Sequence, residues 1–450
     1  MPGQALEALA QDLLRAATRD GATAADVVVA EGDTLEVGIR LGEIEKIKQA
    51  RQKHLGLRVF VHERSASASS ADFSRDALTR LSRDTCDLAR VIAPDPFSGL
   101  PEAGELAARI PDLDLYDPDI EAFTAERAIA VAREAEQAAF DTDPRIGNSE
   151  GASCGTYSGR LVYASTLGFL GTYRTSSISL SVVPVAAADG TMQRDYWYAT
   201  QRKLGRLESP TAIGRHAAAR ALRRLHARRI TTCDVPVVFD PETAASLLQH
   251  LAGAVSGHAL YKRTSFLLDK LGERIAPEWV TVVDDGTLAG GLGSKPFDGE
   301  GVATRRTMVV ERGILRSYLF DTYSARKLQG RSTGNAARSI GESPRVAPTN
   351  LVLQAGTVSP AEIVRTVRRG LYVTELIGFG VNPVTGDYSR GAVGQWIENG
   401  ECVHPVEEVT IAGNLLAMYD GIEVVGNDLE PRHAIASPTV KIARMTVAGH

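Results

Sequence analysis

The sequence predicts an α+β protein: N-terminal helices packed on antiparallel sheets, then a C-terminal β-rich, barrel-like domain with a few helices. Three observations lead there. Apolar residues recur at helical spacing on either side of alternating runs, and this helix-then-strands layout occurs twice in the first half. From Thr281 onward glycine is dense and alternation dominates. The 450 residues are 44% hydrophobic and 23% charged, the composition of an ordinary globular chain with a sizeable core.

Leu6, Leu9 and Leu13 recur with Glu7 and Asp12 between them, an amphipathic helix and not a signal peptide. Val27, Val28 and Val29 read as a buried strand, and Leu35, Val37, Ile39 and Leu41 alternate with polar neighbours. Leu55, Leu57, Val59 and Val61 repeat that alternation, with turns expected at Gly42-Glu43 and in the polar stretch 48–53. A helix over about 74–92 is expected to turn Leu78, Leu81, Leu88 and Ile92 inward, and Pro94 and Pro96 end it. A second helix at 124–140 precedes strands near 159–164, 168–183 and 193–200, then an Ala- and Arg-rich helix at 210–228. A strand at 235–239 and a helix at 242–255 open the last third. There a helix at 360–369 carries a Ser359/Glu362 capping box and Gly370 as its C-terminal cap. The division that follows is an N-terminal α+β domain (1–97), a linker (98–121), a central α+β segment (122–230) and a C-terminal β-rich domain (231–450).

A net charge of -5 argues against a nucleic-acid footprint, which needs clustered positive charge. The basic stretch 223–229 is expected to be the exposed end of a helix, where cations suit the dipole. The chain holds no run of 18 apolar residues, so no membrane span is expected. Four scattered cysteines (Cys86, Cys154, Cys233, Cys402) suit a reducing compartment, and a cytoplasmic location is the expectation.

Histidine spacing speaks to metal chemistry. A helical zinc site needs imidazoles one turn apart with a glutamate nearby. None of the nine histidines lies three, four or five residues from another. His250 and His258 stand eight apart, roughly 80° off a shared helical face. His62-Glu63 has no second histidine following it. The G-x-S-x-G matches in 147–155 lack the strand before and helix after that a nucleophile elbow needs, so a polar turn leading into a strand is expected. Gly290 to Lys295 resembles a phosphate loop only loosely, and Pro296 denies it a helix. The segment Thr385, Gly386, Asp387, Tyr388, Ser389 and Arg390 is more distinctive. Its glycine permits a tight turn, and Asp387 and Arg390 are candidates to pair or to contact a polar partner.

Several stretches taken in order resemble the TldD/PmbA family, the modulators of DNA gyrase. They include Ser256-Gly257, Ala259 to Lys262, Ser265 to Asp269, Pro296-Phe297-Asp298, Glu300-Gly301-Val302 and Tyr323 to Leu328. Ser332 to Gly334, Val373 to Leu376, Thr385 to Ala392, Ile411 to Leu415 and Val425 to Asp428 continue the series, with Phe60 to Ser70 and Pro94 to Gly99 upstream. The likeness is to the PmbA (TldE) branch. TldD-type members carry His-Glu-x-x-x-His on the first helix of the C-terminal domain and a cysteine near the C-terminus. Here His250, Leu251 and Val255 fall opposite that motif, and no cysteine follows Asp428.

The resemblance therefore implies no cofactor in this chain, with zinc expected on a TldD-type partner in a heterodimer or higher assembly; alone, the chain is a candidate homodimer. It implies an ATP-independent peptidase acting on small or unfolded polypeptides, including leader peptides, with residues 385–390 as a peptide-binding or assembly segment. Two alternatives stay open: an independent metallopeptidase drawing His250, His258 or His433 together across subunits, and a regulatory binding protein of a gyrase or toxin system.

Overall fold

The computed structural model describes residues 2–449. A first set of elements comprises helix α1 (Pro2–Arg19), strands β1 (Ala24–Arg40), β2 (Glu43–Val61) and β3 (Arg64–Ser70), and helix α2 (Arg75–Val91). After the one-turn helix α3 (Pro118–Glu121) comes a second set. It holds helix α4 (Ala125–Phe140), strands β4 (Ile146–Ser165), β5 (Leu170–Ala188), β6 (Thr191–Arg194) and β7 (Trp197–Gln201), and helix α5 (Pro210–Leu222). Both sets contribute to one sheet, in the order β3-β2-β1-β4-β5-β6 with β7 also paired to β5. The duplicated layout thus meets at the central antiparallel pair β1–β4, which runs from Asp26↔Ser165 to Ile39↔Ala152.

Alternation divides the sheet's two faces. Val27 and Val29 pack in the cluster with α1 and α2, and Leu35, Val37 and Ile39 in the cluster with α4 and α5. All five residues share one face of β1. Val28, on the other face, packs with Tyr163 and with Phe297 of the C-terminal half. The alternating pattern therefore places helices on one side of the sheet and the rest of the protein on the other.

Four expectations are corrected here. The stretch 48–53 is not a turn, because β1 and β2 pair without interruption from Ala24↔Phe60 to Gly38↔Lys46. That end of β2 is exposed, so polar residues stand on a strand. The turn is Leu41-Gly42, both at positive φ (51° and 77°), the geometry of a tight hairpin. Leu88 and Ile92 face outward (46% and 38% exposed), and α2 buries Ser82, Thr85, Cys86 and Ala89 instead. The stretch 223–229 is not an exposed helix end. Helix α5 stops at Leu222, and Arg224 turns inward to Glu375 Oε2 at 2.5 Å. Gly370 does not cap a helix, as described below.

Buried Glu136 of α4 holds the β1–β2 turn: its carboxylate accepts the Leu41 amide at 3.1 Å and the Gly42 amide at 2.8 Å. Glu136→Ala strips both amides of their acceptor. The expected cost is about 1–3 kcal/mol, read as a lower urea midpoint together with faster hydrogen exchange at residues 41 and 42.

Residues 98–121 are anchored to the rest of the protein at several points, with 102–104 and 108–112 exposed between them. Leu100, Leu113, Leu115 and Ile120 are buried. The Ala107 amide donates to Gly301 O at 2.9 Å, and the Gly290 amide donates to Leu113 O at 2.7 Å.

The C-terminal half opens with β8 (Cys233–Phe239), α6 (Pro241–Ala254), α7 (Gly257–Tyr261), β9 (Val282–Asp285), β10 (Arg306–Glu311), β11 (Ile314–Leu315) and α8 (Thr322–Lys327). It continues with β12 (Ala336–Ala337), β13 (Arg345–Val346), β14 (Leu351–Leu353), α9 (Pro360–Arg365), β15 (Arg369–Ile377) and β16 (Asp387–Glu398). β17 (Glu401–Asn414), α10 (Leu415–Asp420), β18 (Ile422–Val425), β19 (Ile435–Ala436) and β20 (Val440–Ala448) complete it. Strands β17, β16, β15, β8 and β20 pair in that order, and β20 pairs back to β17, closing a five-stranded barrel. A second sheet runs β11-β10-β9-β14-β19.

Helix α6 fills the space between barrel and sheet. Leu247, Leu248 and Leu251 share one core with Val237, Val440 and Ile442 of the barrel and with Val282 and Leu353 of the sheet. The capping box of α9 is present: Glu362 N donates to Ser359 Oγ at 3.4 Å and Ser359 N to Glu362 Oε2 at 2.9 Å. The helix ends at Arg365, and Gly370 lies in β15. A Cβ at Gly370 would stand 2.6 Å from Pro236 O, so glycine serves the close approach of β15 to β8 rather than a cap.

Candidate functional site

The segment 385–390 forms the entry into β16. Gly386 takes φ +80° and its amide donates to Asn382 O at 2.8 Å, closing the turn. Thr385 Oγ1 donates to Asp387 Oδ2 at 2.6 Å, and Asn414 Nδ2 donates to Thr385 O at 2.8 Å and Asp387 Oδ1 at 3.3 Å. These donors hold the Asp387 carboxyl below its ordinary range. Asp387 therefore pairs with Thr385 and Asn414, not with Arg390.

Alternation along β16 leaves Thr385, Asp387 and Ser389 exposed while Tyr388 is buried and Arg390 half-buried. Arg390 lies opposite buried Ile411 of β17, on the side of the strand that faces the barrel core. The Tyr388 ring meets the His250 ring of α6 edge to face, with centroids 6.0 Å apart. The structure thus brings together His250 and the 385–390 segment, sites that are far apart in the chain. Leu251 and Val255 are packed in the core (3% and 0% exposed).

Three polar atoms in this cluster are buried without a hydrogen-bond partner: His250 Nε2, Tyr388 Oη and Arg390 Nε. Burial and the Arg390 charge lower the His250 pKa, keeping the imidazole neutral at pH 7. Burial pushes the Tyr388 phenol up to about 12, with Arg390 opposing.

A second polar constellation lies where the N-terminal sheet meets the C-terminal half. Asp26 of β1 accepts from Arg58 Nε at 3.0 Å, from Arg338 Nη1 at 2.5 Å and from Tyr163 Oη at 3.2 Å. Arg58 also reaches Glu300 Oε1 at 3.2 Å, and Glu300 Oε2 accepts the Thr322 amide at 2.9 Å. Beside this network a cleft of about 680 Å³ opens, lined among others by Phe60, Asp95, His258, Tyr323 and Lys327. Within it, buried Asp321 holds His258 Nε2 at 2.9 Å, and Asp95 accepts from Tyr323 Oη at 2.7 Å. The cleft draws its acids and bases from elements far apart in the chain, His258 from α7 and Asp321, Tyr323 and Lys327 from the start and body of α8. His258 thus belongs to the cleft, and His433 sits elsewhere, against Tyr198 Oη at 2.5 Å.

Three family models match in order: the PmbA/TldA metallopeptidase domain 1 over residues 25–89, the central domain over 118–225 and the C-terminal domain over 232–449. The metalloprotease PmbA of Escherichia coli O157:H7 is 40% identical over 425 residues, 94% of this chain and 92% of that protein. The chain belongs to the PmbA/TldD metallopeptidase family. A crystal structure from Bacteroides thetaiotaomicron, of a protein named for modulating DNA gyrase, superposes at TM-score 0.93 with 28% identity, over 100% of both chains. TldE from Thermococcus kodakarensis shares the fold at TM-score 0.88 and 21% identity, over 98% of this chain and 100% of that one.

A metallopeptidase family raises the question of whether α6 of this chain fits a metal, and the residues there do not. His250 offers one imidazole, while Leu251 and Val255 are apolar and packed in the core. Cys402 stands twelve residues from Asn414 on β17, about 40 Å at strand rise. Among the described residues no group of three or more His, Cys, Asp or Glu side chains is arranged to hold a metal ion. No helix of the described residues is long and apolar enough to cross a membrane.

Proposed function

We propose that this chain is the PmbA/TldE-type subunit of a TldD/TldE-type zinc metallopeptidase acting on small or unfolded polypeptides. The catalytic metal belongs to a TldD-type partner, and this chain shapes the enclosure in which the polypeptide is held. The observation that carries the reading is the α6 surface: one neutral imidazole beside two core-packed aliphatic side chains at the positions aligned with the zinc motif. Such a surface has neither the ligand set nor the general base that zinc hydrolysis needs. The names of relatives support the peptidase class, and the acidic net charge of -5 disfavours direct DNA contact. β-rich walls suit an extended polypeptide, which binds through main-chain hydrogen bonds with little sequence preference.

Expression with and without a TldD-type subunit tests this. The isolated chain is expected to hold no stoichiometric zinc and to leave unfolded peptides intact. The two chains together are expected to co-purify at equal stoichiometry and to cleave in a chelator-sensitive way. Stoichiometric zinc and chelator-sensitive cleavage by this chain alone would overturn the reading.

A further inference from the structure

We propose that His250, Tyr388 and Arg390 form a carboxylate-receiving site on the barrel, which binds a polypeptide through its C-terminal carboxylate or an acidic side chain. The proposal deepens the subunit reading and rests on it only for the ligand being a polypeptide.

The argument starts from unmet hydrogen-bonding capacity. Tyr388 is 2% exposed and its hydroxyl lies beside the Arg390 side chain, yet that hydroxyl, His250 Nε2 and Arg390 Nε are buried atoms without a hydrogen bond of good geometry. Each such buried atom is destabilising unless a partner meets it. One alone is unremarkable; three converging from two elements point to a missing acceptor.

Arg390 adds charge to the argument. Several buried arginines here pair with carboxylates, Arg58 and Arg338 with Asp26 and Arg220 with Asp195 and Asp240, while Arg202 donates to Ser176 O and Leu292 O instead. Arg390 makes no ion pair among the described residues, and its Nη2 only reaches Leu376 O at 3.5 Å. Asp387 does not compete, since it lies on the outer side of β16 and is already engaged by Thr385 and Asn414.

The donor set defines the ligand. Arg390 Nε, the Tyr388 hydroxyl and His250 Nε2, a donor in one of the two imidazole tautomers, supply hydrogen-bonding capacity in one cluster with one positive charge. A planar anion with two oxygens matches them, as a carboxylate matches an arginine fork. Arg390 is half-buried and Thr385, Asp387 and Ser389 beside it are exposed, so the cluster lies within reach of the surface.

The test uses the full chain, labelled with ¹⁵N-histidine, and three short N-acetylated peptides. One has a free C-terminus, the second is its C-terminal amide, and the third is an amide with an internal aspartate. The expected result is that the free-carboxylate peptide binds in calorimetry and shifts the His250 nitrogen resonances, assigned through His250→Gln. Its neutral amide is expected to bind about 10-fold or more weakly, the scale of a lost charged hydrogen bond.

Arg390→Gln is expected to abolish the preference, and Tyr388→Phe to reduce it, with folding confirmed by circular dichroism. Arg390→Lys keeps the charge without the fork and is expected to fall between. Binding of the aspartate peptide identifies a side chain as a source, and binding of the free-terminus peptide alone identifies the chain end; both support the site. Equal behaviour of acid and amide, or wild-type preference in Arg390→Gln, overturns it. Neither result bears on zinc content or co-purification, so the subunit reading stands or falls separately.

Discussion

Asp26→Ala is expected to lower the stability of this protein by about 3–5 kcal/mol, a large share of the 5–15 kcal/mol typical of a folded domain. Asp26 is fully buried and faces two guanidiniums, Arg58 and Arg338, whose side chains are 7% and 2% exposed. Removing it leaves Arg58 sharing Glu300 and strands Arg338 without a carboxylate. The cost comes from the uncompensated charge, not from the pair's own net worth, which desolvation largely offsets. The network also ties β1, β2 and β4 to the C-terminal half, so its loss acts on the junction. The urea midpoint at pH 7 measures the effect. Asp33→Ala, which removes an exposed partner of Arg51 at 3.8 Å, is the control and is expected to change stability by less than about 1 kcal/mol. Equal midpoints for the two variants would refute the assignment.

The same carboxyl dictates a pH dependence. Burial alone would raise the Asp26 pKa, but Arg338 and Arg58 hold it below its ordinary value of 3.8. A depressed folded-state pKa contributes stability that is present above pH 3.8 and lost as pH falls through the folded value. The Asp26→Ala penalty should therefore shrink below about pH 4, where the unfolded chain takes up the proton first.

The double substitution Leu251→Glu, Val255→His writes the His-Glu-x-x-x-His pattern onto α6, and it is expected to unfold the protein without conferring zinc binding. Leu251 and Val255 are packed among the α6, barrel and sheet residues of one core. Leu251→Ala alone is expected to cost about 2–5 kcal/mol through the cavity it leaves. A carboxylate there adds the burial of an unpaired charge, worth several kcal/mol more. His250, meanwhile, is already engaged edge to face with the Tyr388 ring. Circular dichroism and elemental analysis decide it: a folded protein with one zinc per chain would show that the loss of ligands alone explains the absent site.

Much of the fold was legible in the sequence because it follows from local patterns. Helices expected to start near Ser74 and Thr124, and at the Ser359 capping box, do start there, and each of these side chains accepts a backbone amide of the first turn. The alternation at 35–39 and 55–61 marked true strands, while Leu41 continued the pattern into the turn. Errors arose where solvent exposure and chain geometry part company. Polar 48–53 looked like a turn because a strand uncovered at one end carries the same residues as a loop. Leu88 and Ile92 looked like core because helical spacing does not tell a buried leucine from a surface one.

The site was legible by residue type and not by arrangement. The sequence by itself determined the family, the elements and the lack of histidine spacing for a helical zinc site, all of which depend on residues close in the chain. Only the tertiary structure decided that His250 meets Tyr388, that Asp387 turns to Asn414 and leaves Arg390 without a carboxylate, and that Asp26 binds Arg338. The physical reason is that a buried polar group is satisfied by whichever partner the packed layers bring within 3 Å or so. That partner can sit 312 residues away, as Arg338 does from Asp26, where no local pattern announces it.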